Sequence, residues 1–301
     1  MRIKFGFLLF IPLLFSPLSA RGQTRLDLSG TIEWDKGELS AAASLNLGSA
    51  GIKLPTGRIR GEEILGDEWP ALIRPYLLKI QVDSSSTVED LVNNRETTLA
   101  ELDNISLEAA KIPPSLSADL AFMTGRYTIP LKSISAALIR HRRAVDQARP
   151  FIPSPAADYT GIIIIADTEL PIHGRNTSAL VRPCIFPRVW DTNMNLVYEK
   201  NMTDPAITAS GTGALVRYTR AENIFRPTPS GIDESLAALV GTNPIRILAR
   251  AVFGSSPTDP VIDREDALAI ISSENNRRLL REGRVAIVLN ESVLKVPLGR
   301  Q

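Results

Sequence analysis

The run Gly161-Ile-Ile-Ile-Ile-Ala166 constrains this chain more than any other stretch. β-Branched residues are stiff at χ1 and favour extended backbone. A short apolar run with no polar alternation is what a strand covered on both faces requires. The chain therefore needs a layered domain with this strand inside it. The sequence that follows agrees. Ile185 to Trp190 and Leu196 to Tyr198 read as paired strands around Asp191-Thr-Asn-Met-Asn195, whose side chains suit a turn. Gly213 to Tyr218 and Ile245 to Phe253 read as further strands, separated by a helix from Ile232 to Val240 that stops at Gly241. Asp263 marks the start of another helix, Gly283 the end of a helix over Asn275 to Glu282, and Arg284 to Leu289 a second central strand.

The first half has its own pattern. From Thr24 to Leu47, Leu26, Leu28, Ile32 and Trp34 share one face, and beyond Asp35-Lys-Gly37 so do Leu39, Ala41, Ala43, Leu45 and Leu47; this predicts a long hairpin with a tight turn. Ile59 to Ile80 carries apolar residues at helical spacing, and Gly66, Pro70 and Pro75 divide it into two short helical pieces. Thr87-Val-Glu-Asp90 has the form of a capping box, and a helix is predicted from Thr97 to Lys111, ended by Pro113-Pro114. Ser117 to Thr124 and Arg126 to Leu131 read as a second hairpin parted at Gly125, with a helix from Ser133 to about Arg143. Three prolines between Ala148 and Ala157 favour extended, poorly pairing backbone, so that stretch reads as a linker. The resulting plan is α+β: a signal peptide at 1–22, two α+β domains with mixed or antiparallel sheets at 23–147 and 158–301, and the linker 148–157 between them.

The N-terminus addresses the chain. Met1-Arg-Ile-Lys is basic, Phe5 to Phe15 is apolar apart from Gly6 and Pro12, and Ser16 to Gly22 is rich in small residues, the layout of a secretory signal peptide. The apolar core is shorter than the roughly 20 residues of a membrane-spanning helix. Export to the periplasm is expected, with cleavage after Ala20 or Gly22 and no membrane segment afterwards. No cysteine lies near the junction, so a lipid anchor through an N-terminal Cys is not expected. The formal net charge is +1 with acids and bases interspersed, which supplies no field for nucleic acid. Arg140-His-Arg-Arg143 is the nearest approach to a basic stripe and reads as a solvated helix end.

Chemistry-bearing motifs are scarce. The chain has no G-x-S-x-G elbow, no Walker loop, no G-x-G-x-x-G after a strand and no H-E-x-x-H. With only His141, His173 and one cysteine, Cys184, a zinc site would need a large share of carboxylates, so no catalytic, cofactor or metal site is assigned. Asp259, Asp263, Glu265 and Asp266 lack calcium-loop spacing and suit a helix start. Cys184 reads as a buried inert thiol, and Trp34, Trp69 and Trp190 as core. The loop after the central strand is the one candidate interaction loop, with Asp167, Glu169, His173 and Arg175 as its residues. A general base at His173 would need an orienting acid, for which Asp167 and Glu169 are the local choices. With no nucleophile nearby, a loop histidine bonded to backbone is the favoured reading.

Tyr159-Thr-Gly161 before the apolar strand, Pro183, Pro187-Arg-Val-Trp-Asp191 and Val197-Tyr198 together resemble the core pattern of exported bacterial proteins related to the flagellar assembly lipoprotein FlgP. Val261-Ile262, Asp266-Ala267, Asn276, Arg284 to Leu289 and, earlier, Ile80 to Asp90 fit the same pattern. The form Leu170-Pro-Ile-His-Gly174 is similar to uncharacterised exported proteins of spirochaetes. The lipidated Cys of the lipoprotein branch is absent, and Ile165-Ala-Asp-Thr168 with an inserted loop stands where that branch has Asp-Ala-Arg-Gly. The resemblance implies a non-enzymatic periplasmic protein that assembles with envelope or flagellar proteins or with itself; a ligand- or peptide-binding module with the 167–178 loop as its lip is the alternative.

Overall fold

The computed structural model describes residues 26–147, 149–150, 155–209, 216–226 and 231–299. The expected signal peptide, the linker positions 148 and 151–154, and Gly213 to Leu215 of one expected strand lie outside the described residues.

The alternation at the start of the chain produces β1 (Leu26–Glu33) and β2 (Glu38–Asn46), paired antiparallel with Leu28 opposite Ala43 and Ile32 opposite Leu39. A single helix, α1 (Arg58–Leu78), follows with Pro70 and Pro75 inside it, where two pieces were expected. Burial outweighs the prolines. Ile64, Leu65, Trp69, Ile73, Tyr76 and Leu77 are buried, which contributes on the order of 10 kcal/mol. An interior proline costs about 3 kcal/mol. Helices α2 (Val88–Asn93) and α3 (Leu99–Leu107) each open on a complete capping box, Thr87 with Asp90 and Thr98 with Glu101. Trp69 donates its indole N–H to the Ser106 carbonyl at 2.8 Å, and Arg74 grips Asp103 with two bonds of 2.9 and 2.8 Å, so α1 and α3 are fastened side by side.

Two expectations fail in the next segment. Pro113 and Pro114 do not end a helix; they lie in β3 (Ala110–Leu116), an outer strand where missing N–H groups face solvent and a bulge between Ile112 and Ser115 accommodates them. Gly125 does not part a hairpin either. It sits inside β4 (Phe122–Pro130), because the Tyr127 ring, stacked at 3.9 Å on Trp69, lies where its side chain would be. Helix α4 (Leu131–Leu138) ends before Arg140, whose guanidinium meets Glu101 at 2.9 Å.

The second half supplies β5 (Ile162–Ala166), the small pair β6 (Leu170–Pro171) and β7 (Ser178–Ala179), then β8 (Val189–Asp191) and β9 (Leu196–Tyr198). It continues through α5 (Pro205–Ala209), β10 (Arg217–Thr219), α6 (Glu234–Val240), β11 (Ile245–Phe253), β12 (Asp259–Ile262), α7 (Arg264–Ile271), α8 (Glu274–Arg281) and β13 (Val285–Leu289). Helix α9 (Glu291–Leu294) and β14 (Lys295–Pro297) follow. The larger sheet has the order β10-β13-β5-β11-β12-β8-β9, with β5 parallel to both neighbours. The isoleucine run is covered on both faces as its composition requires: Ile163 joins Ala286 and Val288 against Ile224, Leu236 and Val240, while Ile162 and Ile164 belong to the main core with Ile247, Leu279 and Leu280. The fold is α+β, with an antiparallel first sheet and a mixed second one.

Strand β14 departs from the expected 158–301 unit. It returns to the first domain and pairs antiparallel with β1, so the first sheet runs β14-β1-β2-β4-β3. The Trp34 N–H donates to the Leu294 carbonyl and the Leu298 N–H to the Gly30 carbonyl, both at 2.9 Å. Nearby, Arg220 of the second domain holds Asp35 of the first at 2.7 Å, and the Trp34 ring meets Tyr218 edge-on at 5.8 Å. Main-chain bonds from Ile185 to Gln81 (3.0 Å), Phe186 to Val82 (2.7 Å) and Ser256 to Ser84 (2.9 Å) continue the join on another side.

Candidate interaction site

Polar groups gather along that join. The Asp83 carboxylate accepts the N–H groups of Ser85 and Ser86, both at 2.9 Å, which folds the serines into a tight turn. Because Ile185 and Phe186 bond to the chain just before it, Arg188 arrives over the turn with its guanidinium 3.3 Å from Asp83. Underneath lies Asp259, fully buried. Its carboxylate accepts the Arg188 main-chain N–H at 3.2 Å, the Thr258 hydroxyl at 3.0 Å and the Trp190 indole N–H at 3.4 Å. Burial pushes the Asp259 carboxyl above the ordinary range, and these donors, with the Ser84 hydroxyl, oppose that push.

The candidate loop stands beside this cluster. Strands β6 and β7 form a short hairpin whose tip is held by Ile172 N–H to Thr177 at 2.8 Å and Arg175 N–H to Ile172 at 2.9 Å. The His173 main-chain N–H donates to the Val252 carbonyl at 2.8 Å and pins the hairpin to β11. This bond belongs to the main chain, and the His173 ring makes no hydrogen bond to backbone among the described residues. Its ring stands 6.2 Å from Phe253, which in turn meets Trp190 at 5.7 Å. Between hairpin and turn is a cleft of about 330 Å³, lined among others by Ser84, Ser85, His173, Arg175, Arg188 and Phe253.

Of the four residues singled out in the sequence, His173 and Arg175 line this cleft. Asp167 and Glu169 do not: Asp167 is half-buried, with its carbonyl accepting the Asn290 side chain at 3.0 Å, and Glu169 is exposed before β6. The base and orienting acid considered for His173 are therefore not brought together. Arg188, Ser84 and Asp83 were not anticipated as site residues. Asp83 and Arg188 are 105 positions apart, and no local pattern announces their meeting.

Other sequence readings are resolved similarly. Trp34 and Trp69 are buried, but Trp190 is half-exposed, because its indole N–H reaches toward Asp259 while its ring borders Phe253. Cys184 is buried and its thiol is pushed up by burial, with Asp259 adding to the effect. The acidic run is divided, Asp259 inside and Asp263 paired with Arg250 at 2.7 Å on the surface. Among the described residues no group of three or more His, Cys, Asp or Glu side chains is placed to hold a metal ion. Nor is any described helix long and apolar enough to cross a membrane.

Residues 25–137 match the family model described as Treponema pallidum Tp0624, N-terminal domain, and residues 161–291 match the one described as Treponema pallidum Tp0624, second domain. The two matches cover most of the chain in sequence order, and each falls on one of the two sheets described above. No curated protein matches the chain.

Proposed function

We propose that this chain, which belongs in both of its domains to the Tp0624 family of spirochaete proteins, is an exported, non-enzymatic component that assembles with other proteins of the cell envelope. The observation that carries this reading is the join between its domains. Strand β14 completes the first sheet, Arg220 reaches Asp35, and the Asp83 turn docks under Arg188. A body braced in this way presents surfaces of fixed geometry, which suits a part in a larger structure. The N-terminal pattern of basic, apolar and small residues supports export to the periplasm, and the resemblance to FlgP-related proteins supports a place near a flagellar motor. The test is isolation of the chain from gently solubilised envelopes. Recovery with a constant set of envelope proteins, or as a defined self-assembly, supports the proposal; a monomer without partners in the cytosolic fraction refutes it.

A second reading, a ligand-binding module with the 167–178 loop as lip, is favoured by one observation: the cleft beside His173 and Arg175.

A further inference from the structure

Charge along this cleft is one-sided. His173, Arg175 and Arg188 line it, and no carboxylate does. The nearest acid, Asp83, is engaged by Arg188 and by the N–H groups of its own turn. Arg188 is fixed from below, since its main-chain N–H bonds to buried Asp259. The Arg175 guanidinium, on the exposed hairpin tip, has neither a carboxylate nor a hydrogen-bond partner among the described residues. Two arginines and a histidine lining one space, with only Arg188 paired to a carboxylate, are suited to an oxyanion, because planar N–H forks match phosphate oxygens.

The rest of the lining asks for something else. The Ser85 hydroxyl donates to Asp83 at 2.9 Å and the Ser255 hydroxyl to the Ser84 carbonyl at 2.7 Å. Each keeps acceptor lone pairs and no free proton, so each suits a ligand hydroxyl that donates. The half-buried Phe253 ring adds an apolar wall held edge-on by His173 and Trp190. A cleft of about 330 Å³ is also larger than one phosphate needs.

We propose that this cleft recognises a sugar phosphate, with the phosphate between Arg175, Arg188 and His173 and the sugar hydroxyls on the serine oxygens beside Phe253. The inference rests on the second reading above and is independent of the assembly role, which its failure would leave untouched.

The test is calorimetric titration of the purified chain with glucose 1-phosphate, inorganic phosphate and glucose at matched ionic strength. Glucose 1-phosphate is expected to bind more tightly than phosphate. Arg175→Gln, at an exposed loop position, should weaken both by about tenfold, the loss of one charge-assisted contact. Phe253→Leu should reduce the sugar phosphate to the affinity of phosphate alone. Absence of binding up to ~20 mM, equal affinities for phosphate and sugar phosphate in the wild type, or affinities unchanged by Arg175→Gln would each overturn the proposal. Should Phe253→Leu not fold, the comparison of the three ligands and the Arg175 variant still decide.

Discussion

Gly254 is a point at which the join between the domains leaves no room for a side chain. Its φ of +116° is a conformation L residues rarely adopt, and a Cβ there would lie 2.4 Å from the Ser84 Cβ and 2.6 Å from the Ser256 carbonyl oxygen. Gly254→Ala therefore adds about 1–3 kcal/mol of backbone strain and a further ~1–3 kcal/mol of overpacking, because the nearer neighbours are a Cβ and a main-chain oxygen. The sum is a loss of about 2–6 kcal/mol, a fall in Tm of roughly 5–20 °C for a chain of this size. Gly66→Ala is the matched reference. Gly66 lies on the exposed side of α1 with nothing within 4 Å of an added Cβ, so the substitution should stabilise by about 0.5–1 kcal/mol. Urea titration followed by tryptophan fluorescence reads both, with Trp34 near one side of the join and Trp190 near the other. A Gly254→Ala protein within about 0.5 kcal/mol of wild type, or two substitutions shifting stability in the same direction, would refute the reasoning.

Three further outcomes are expected. Trp69→Phe should cost about 0.5–1.5 kcal/mol by removing the indole N–H bond to the Ser106 carbonyl, which keeps the longer bond from the Ala109 N–H at 3.3 Å, and Trp69→Ala about 3–5 kcal/mol by emptying the stack on Tyr127; thermal denaturation measures both. Replacing Pro113 and Pro114 together by Thr and Val should give β3 a continuous outer edge and promote self-association, detected by sedimentation. The Thr97 hydroxyl, the Thr98 N–H and Arg140 hold the Glu101 carboxyl at about 2, below its unfolded value. Its contribution is thus complete above about pH 4.5 and lost as pH falls toward 2. A carbon-13 titration of Glu101 should show the low midpoint. Glu101→Gln should flatten that acid limb while costing less than about 1 kcal/mol at neutral pH, since the pair with Arg140 is solvent-screened.

What the sequence disclosed and what it hid divide along a physical line. The hairpin of β1 and β2, the doubly covered β5 and the Thr87 capping box are local patterns of side-chain periodicity or hydrogen bonding, and they are visible in the residues themselves. The errors arose where tertiary contacts overrode local preference: Pro70 and Pro75 inside a helix with a large buried face, Pro113-Pro114 tolerated on an edge strand, and Gly125 beneath the Tyr127 ring. Strand β14 was hidden because its partner, β1, lies at the other end of the chain. The cleft was half legible. His173 and Arg175 stood out as a polar loop after the central strand, whereas Arg188 and Ser84 line it, with Asp83 paired behind Arg188, through contacts that no spacing encodes.

The most direct test of the assembly role is cross-linking in intact cells from a photoreactive side chain placed at Ile112 on the exposed outer strand, and separately at Arg175, followed by identification of the adducts. The account predicts reproducible adducts with envelope or flagellar proteins, or with a second copy of the chain, that differ between the two positions. A chain that stays unlinked from both, or is captured only by cytosolic proteins, would contradict it.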